Sequence, residues 1–74
     1  MSQIKPGEVY KHYKGNFYYV LAVCKHSESL EDLVVYVSLY KNPESQVWIR
    51  PQKMFEETVE YQDKRVARFQ LVAK

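Results

Sequence analysis

The short connections between β-rich runs constrain this chain more than any other feature of its sequence. Residues 17–25, 33–40 and 46–50 are rich in β-branched, other aliphatic and aromatic side chains, which favour strands. Polar segments at 26–32 and 41–45 separate these runs. Neighbouring parallel strands need a crossover of about a dozen or more residues, whereas antiparallel neighbours need only a tight turn. The sequence therefore predicts an antiparallel sheet.

Further segments complete the predicted architecture. They are a first strand at 8–13, a turn at Lys14-Gly15-Asn16, a helical turn or 3₁₀ segment at 52–57, a turn at 61–64 and a last strand at 66–71. Pro51 ends the fourth strand because it cannot donate to a ladder, and Met54 or Phe55 is predicted to plug the open end of the sheet. We therefore predict a mostly β fold, a small five-stranded antiparallel SH3-like barrel with one short helical turn. An OB-type barrel, which normally needs more residues, is the alternative.

Length and composition predict one small domain. Of the 74 residues, 1–6 are predicted to form a flexible lead-in and 7–74 a single small β-barrel domain. Cys24 is the single cysteine, so no internal disulfide can form. Because it lies in an apolar strand, it is predicted to be buried and unreactive. The sequence shows no signal peptide and no apolar run long enough to span a bilayer, so we expect a cytoplasmic protein with no membrane partner.

Pairing through the turns gives the sheet two different faces, since side chains alternate along a strand. The predicted pairs are Tyr36–Arg50, Ser38–Trp48, Tyr40–Gln46, Val23–Val35 and Leu21–Val37. One face is aliphatic and uncharged, and it is predicted to be the core: Tyr19, Leu21, Val23, Leu33, Val35, Val37, Leu39, Val47 and Ile49. The other face is aromatic, with one cation: Tyr18, Val20, Ala22, Cys24, Val34, Tyr36, Ser38, Tyr40, Trp48 and Arg50. Tyr10 and His12 join this face if the first turn has three residues, and Val9 and Tyr13 join it if the turn has two. The competing interpretation is that both faces are partly buried and the tyrosines merely cap the core.

The aromatic face contains a candidate ligand-binding site. Its predicted members are Tyr36, Trp48 and Arg50, with His26 and Glu28 in the adjoining loop. Aromatic walls supply apolar contact, and a guanidinium recognises anions with two parallel hydrogen bonds. In the competing interpretation, side-chain-to-backbone hydrogen bonds hold the loop. Arg50 then stacks on Tyr36 and pairs with Glu28 only to fix that loop.

Several short segments, taken together, resemble a known bacterial family. They are HYKGN at 12–16, Tyr18 with Val20, HSE at 26–28, VVY at 34–36, Leu39-Tyr40, Trp48 with Arg50-Pro51, Met54-Phe55 and Arg68-Phe69. This combination is similar to the domain-of-unknown-function family sixteen-fifty-three, although the turn at 62–64 lacks the glycine that such domains often carry. The resemblance implies a compact, mostly β domain, found alone or attached to other domains, and it brings no established activity.

The sequence contains no complete catalytic or metal-binding motif. We therefore predict no enzymatic activity, no catalytic residue, no metal and no other cofactor. The expected function is a non-catalytic recognition module for a peptide or small anionic ligand. One alternative is a single-stranded nucleic-acid module, with aromatic rings stacking on bases while Arg50, Lys53, Arg65 and Arg68 meet phosphates, although the net charge of +2 gives this little support. Another is a purely structural or interaction domain.

Overall fold

The computed structural model describes residues 4–74, which form antiparallel β structure with one short helix. The elements in chain order are β1 (Val9–His12), β2 (Phe17–Lys25), β3 (Asp32–Ser38), β4 (Val47–Pro51), α1 (Gln52–Phe55), β5 (Thr58–Tyr61), β6 (Lys64–Ala67) and β7 (Phe69–Ala73). Five strands make one sheet in the order β4-β3-β2-β1-β7, and β5 with β6 makes a separate hairpin. The prediction of a mostly β, antiparallel fold with one helical turn is confirmed.

The sheet is open rather than closed. Within residues 4–74, β4 and β7 are the edges of the five-stranded sheet and no ladder joins them, so the predicted SH3-like barrel is not confirmed. The C-terminal region holds two more strands than predicted. Gln62 and Asp63 both have positive φ, 53° and 63°, as in the two-residue turns that favour hairpins. This turn pairs residues 58–61 with 64–67, and β7 then returns to β1.

The core is aromatic. Phe55 of α1 is 1% exposed and stacks on Phe69 of β7 with ring centroids 4.1 Å apart. Tyr36 of β3 meets both rings edge-on, at 5.4 and 5.7 Å, and Tyr10 of β1 meets Phe55 at 5.1 Å. The prediction that Phe55 plugs the end of the sheet is therefore confirmed, whereas its neighbour Met54 is exposed.

The predicted assignment of core and surface faces is wrong. Most of the aliphatic set is exposed, namely Tyr19, Leu21, Val23, Leu39, Val47 and Ile49, and Val35 and Val37 are half-buried; Leu33 is buried as predicted. The fully buried strand residues Val20 and Val34 come from the opposite, aromatic set. Both faces are apolar enough to be a core, and what decides between them is the side onto which α1 and β7 fold. Cys24, predicted to be buried, is exposed.

The observed register differs from the predicted one by two residues between β3 and β4. Tyr36 pairs with Trp48 and Val34 with Arg50. The turn is longer than expected because Gln46 folds back into it, donating from Nε2 to the carbonyl oxygens of Ser38 and Tyr40 at 2.8 and 2.6 Å. A shift of two keeps every side chain on its predicted face.

An irregularity between Val20 and Ala22 changes the pairing of β2 with β3. Ala22, instead of Val23, lies opposite Val35, and Val20 pairs with Tyr36. A bulge of this kind adds one unpaired residue and strengthens the local twist.

At the start of the described chain, Ile4 of the predicted lead-in is buried in the core cluster, and residues 1–3 of that lead-in lie outside the described residues. No helix in residues 4–74 is long and apolar enough to cross a membrane.

Candidate functional site

A cleft of about 230 Å³ opens on the aromatic side of the sheet. Its lining comes from four strands of the sheet, the end of β1 and the turn after β3: His12, Tyr18, Tyr36, Asn42, Glu44, Trp48, Arg50 and Phe69. We call this the aromatic cleft. Because neighbouring strands supply its floor, the antiparallel pairing itself brings these side chains together. The aromatic rings that line it also pack on the core, which fixes their orientation.

Arg50 is the central cation of the aromatic cleft. Its Nε donates a hydrogen bond to the hydroxyl of Tyr36 at 3.2 Å, and its guanidinium lies over the Phe69 ring at 5.8 Å. The ion pairs found in residues 4–74 are Lys25–Asp32 and Arg68–Glu57, so no carboxylate in this part of the chain forms an ion pair with Arg50. A half-buried guanidinium held by a hydroxyl and a ring, with no carboxylate partner of its own, can bind an anion.

Trp48 contributes a second unsatisfied donor. Its indole Nε1 is buried and has no hydrogen-bond partner among the described residues. Leaving a buried donor unpaired costs about 1–3 kcal/mol, so an acceptor that reaches Nε1 would recover part of that free energy. Trp48 and Arg50 are two residues apart on β4, so their side chains share a face of the sheet, and both line the cleft.

Tyr18 and Asn42, two residues of the cleft lining, are both linked by hydrogen bonds to Tyr40. Tyr18 and Tyr40 share a hydrogen bond between their hydroxyls at 2.9 Å, and Asn42 Nδ2 donates to the Tyr40 hydroxyl at 3.1 Å. Burial, together with the Tyr40 hydrogen bond, raises the pKa of Tyr18 above its ordinary value. The Tyr18 hydroxyl therefore stays protonated at physiological pH and adds no negative charge to the site.

His12 lines the cleft close to three cationic side chains. Its Nδ1 accepts a hydrogen bond from the Lys14 backbone N–H at 3.1 Å, so in the neutral ring Nε2 carries the proton. Burial and the nearby charges of Arg68, Arg50 and Lys14 lower the pKa of His12 below its ordinary value. The same accumulation of positive charge that disfavours a protonated imidazole favours a bound anion.

The structure brings together three of the five predicted site residues. Tyr36, Trp48 and Arg50 line the aromatic cleft, whereas His26 and Glu28 do not. His26 Nδ1 instead accepts from the backbone N–H groups of Glu28 and Ser29, at 3.1 and 3.3 Å. The loop between β2 and β3 is thus held locally, and no ion pair joins Glu28 to Arg50 in residues 4–74.

Sequence reasoning missed other members of the site. Phe69 was not found because β7 reaches the cleft through its pairing with β1, where His12 lies opposite Phe69. Tyr18, and His12 in the three-residue-turn alternative, were predicted to lie on the aromatic face but were not included in the site. The observed pairing of Tyr10 with Tyr18 is shifted by two residues from that alternative, which keeps both side chains on that face. Asn42 and Glu44 enter from the turn, whose longer form the sequence did not predict.

A second hollow, of about 450 Å³, lies between α1 and the loop after β2. It is lined by Ser29, Leu30, Glu31, Asp32, Gln52, Lys53 and Glu56. This hollow is larger than the aromatic cleft, but apart from Leu30 its lining is polar, and it contains no ring to orient a ligand. No group of three or more metal-ligating side chains occurs among residues 4–74. The aromatic cleft is therefore the better candidate site.

Comparison with known proteins identifies the family. Residues 8–71 match the family model described as "Protein of unknown function (DUF1653)". The chain is also similar to a crystal structure of a DUF1653 protein from Bordetella bronchiseptica, with 34% sequence identity and a TM-score of 0.86 over 96% of this chain and 90% of that chain. No significant match was found among curated proteins. The chain therefore belongs to the DUF1653 family, which its sequence motifs had indicated.

Proposed function

We propose that this domain is a non-catalytic recognition module that binds a singly charged anionic group, such as a carboxylate of a peptide or small molecule, in the aromatic cleft. The observation that carries the proposal is Arg50, a half-buried guanidinium without a carboxylate partner within residues 4–74. Its Nε is engaged by Tyr36, which leaves the two Nη groups to grip an anion in the bidentate geometry that arginine prefers.

The volume of the cleft is suited to one chemical group of a ligand rather than to a whole drug-sized molecule. Its volume of about 230 Å³ lies below the roughly 300–1,000 Å³ of sites that enclose drug-sized molecules. Such a space accommodates a carboxylate with a short apolar or aromatic attachment, the remainder of the ligand lying outside. The Trp48 Nε1 donor offers the anion an additional hydrogen bond.

The charges around the cleft favour one negative charge over several. Burial is the main cause of the lowered pKa of His12, and Arg68, Arg50 and Lys14 contribute to it; because Arg68 is paired with Glu57, Arg50 and Lys14 are the cations that favour an anion here. At the rim, Glu44 also lines the cleft and repels polyanions. A carboxylate monoanion therefore matches the charges around the cleft better than a doubly charged phosphate does.

The nucleic-acid alternative has less support. Arg65 donates to Thr58 and Arg68 pairs with Glu57, so these cations already have protein partners. Tyr18 and Tyr36 meet each other and Phe69 edge-on, which leaves few free ring faces on which bases could stack.

Exposed Cys24, the single cysteine, supports the proposed cytoplasmic setting, where thiols stay reduced.

A matched pair of ligands tests the proposal. Benzoate and benzamide have nearly the same shape, and only benzoate carries a negative charge. We expect benzoate to bind the wild-type chain at least about tenfold more tightly than benzamide in calorimetric titrations, which corresponds to about 1.4 kcal/mol. Arg50→Gln should abolish the difference, whereas Lys53→Gln, which removes an exposed cation of α1 outside the aromatic cleft, should preserve it. Equal affinities for the two ligands would contradict the proposal.

Oligonucleotides provide the second arm of the test. A single-stranded DNA or RNA probe should show no saturable binding at physiological salt. If it binds with a steep salt dependence that Arg50→Gln reduces, the nucleic-acid alternative replaces the carboxylate proposal.

A further inference from the structure

The outer side of the sheet, opposite the aromatic cleft, presents an uncharged apolar surface. It is formed by Tyr19, Leu21, Val37, Leu39, Val47 and Ile49, which we call the outer face. Cross-strand pairing places Tyr19, Val37 and Val47 in one row. Five of these six side chains remain between 37% and 59% exposed. The described chain therefore leaves uncovered a surface with the composition of a core.

The size of the outer face is at the upper end of what a monomer usually exposes. Six side chains of this size, about half exposed, present on the order of 500 Å² of apolar surface, which is near the largest patch found on typical monomers. The exposed Phe17 ring lies at its edge and enlarges it. A patch of this kind marks an interaction surface rather than a scatter of single exposed residues.

We propose that the outer face is the interface of a symmetric dimer, in which the sheets of two copies of this chain pack face to face. If both faces were fully covered, they would together bury about 1,000 Å², which is the lower limit for a specific interface. Rows of aliphatic side chains on two twisted sheets interdigitate in aligned sheet packing, about 10 Å apart. A twofold axis brings each patch against its own copy, so an uncharged surface is automatically complementary to itself.

The outer face contains no charge that would oppose a second copy; Lys11, over the Phe17 ring at 5.8 Å, lies at its edge. The six defining residues include no ionised group, so nothing in the patch selects a charged partner. At the end of β2, Lys25 pairs with Asp32 across the strands at 2.7 Å, so these charges are already neutralised within one chain. The net charge of +2 produces little repulsion between two copies.

This arrangement goes beyond the proposed ligand site and is independent of it. The aromatic cleft lies on the other side of the sheet, so dimerisation leaves both clefts open. The dimer would present two identical sites, and a ligand carrying two suitably spaced carboxylates would gain avidity from engaging both.

Sedimentation equilibrium measures the proposed dimer directly. Between about 1 μM and about 1 mM, the wild-type chain should change from its monomer mass of 8.9 kDa to twice that mass. Ile49→Lys and Val47→Lys each place a charge within the outer face and should weaken the dimer at least about 30-fold, as loss of an interface hot spot does. Leu30→Lys is the matched control because Leu30 is 66% exposed but lies in the loop after β2, and it should dimerise as the wild type does.

A dilution series of backbone NMR spectra locates the interface without any substitution. Signals of the outer face should shift with concentration, whereas the Trp48 indole signal in the cleft should not. A wild-type chain that stays monomeric at the highest concentration overturns the proposal and leaves the outer face for a different protein or a neighbouring domain. A dimer whose concentration-dependent shifts lie elsewhere, or that folded Ile49→Lys leaves intact, overturns it equally.

Discussion

Arg50 donates its Nε hydrogen to the Tyr36 hydroxyl at 3.2 Å, and this bond fixes the guanidinium above the Phe69 ring. The two residues are not directly opposite each other, since Tyr36 pairs with Trp48 and Arg50 with Val34. Their diagonal contact connects the aromatic core to the candidate site. Residues that stabilise the fold and residues that bind a ligand are therefore neighbours, and predictions must separate the two roles.

Tyr36→Phe separates positioning from packing. The substitution keeps the ring that contacts Phe55 and Phe69 but removes the acceptor for Arg50. We expect the free energy of unfolding to fall by about 1 kcal/mol or less, while benzoate affinity falls several-fold because the guanidinium loses its fixed orientation. Urea unfolding and calorimetric titration of the same variant measure the two effects. An unchanged affinity would show that Tyr36 does not position Arg50.

Phe55→Ala tests the aromatic core. Phe55 is 1% exposed and stacks on Phe69, so truncation should cost about 3–5 kcal/mol, the range for buried Phe to Ala. Such a loss is a large fraction of the total stability of a domain of this size. Met54→Ala on the same helix is the control, since Met54 is 42% exposed. Its unfolding midpoint in urea should stay close to that of the wild type, and equal losses in the two variants would contradict the described core.

The prediction for Phe55 could be made from the sequence because Pro51 ends β4 and an apolar pair follows one turn later. Similarly, the alternation in β3 predicted that Tyr36, Trp48 and Arg50 share a face. The choice of the buried face could not be predicted, since Val20 and Val34 on one side are as apolar as the exposed outer face. That choice depends on where α1 and β7 fold, which is a long-range contact.

The predicted closed barrel was not confirmed, and His26 and Glu28 lie outside the aromatic cleft. The two differences have different physical reasons. The hairpin of β5 and β6 depends on Gln62 and Asp63 adopting positive φ without glycine, which weakens the local signal for a two-residue turn. His26 and Glu28 were placed near Arg50 by the position of their loop at the end of the sheet. The structure shows His26 occupied by backbone N–H groups of its own loop, a local interaction that the competing interpretation had anticipated.

The pH dependence of stability should reveal the lowered pKa of His12. Its pKa is lower in the folded chain than the ordinary value, which is about 6.5 in the unfolded chain. Between these two pKa values the unfolded state binds more protons, so the free energy of unfolding rises with pH in this window and falls as the solution is acidified through it. His12→Asn keeps an acceptor for the Lys14 N–H and should remove this contribution. A stability profile identical to that of the wild type would contradict the assignment.

Cys24 gives a test of the corrected surface. Because its side chain is exposed, a thiol reagent such as Ellman's reagent should label the native chain at low protein concentration without denaturant. The labelling rate should increase only modestly when urea is added. Protection of Cys24 until the chain unfolds would support the original prediction of a buried thiol and contradict the described placement of β2.

The Trp48 indole N–H provides the most direct test of the central claim that the aromatic cleft binds an anionic group through Arg50. Its signal is the single tryptophan indole resonance of this chain, and its Nε1 is buried without a partner in residues 4–74. Titration with benzoate should shift this resonance saturably in the wild type and not in Arg50→Gln, with benzamide causing little change. A resonance that stays in place in the wild type, or shifts equally in folded Arg50→Gln, would contradict the account.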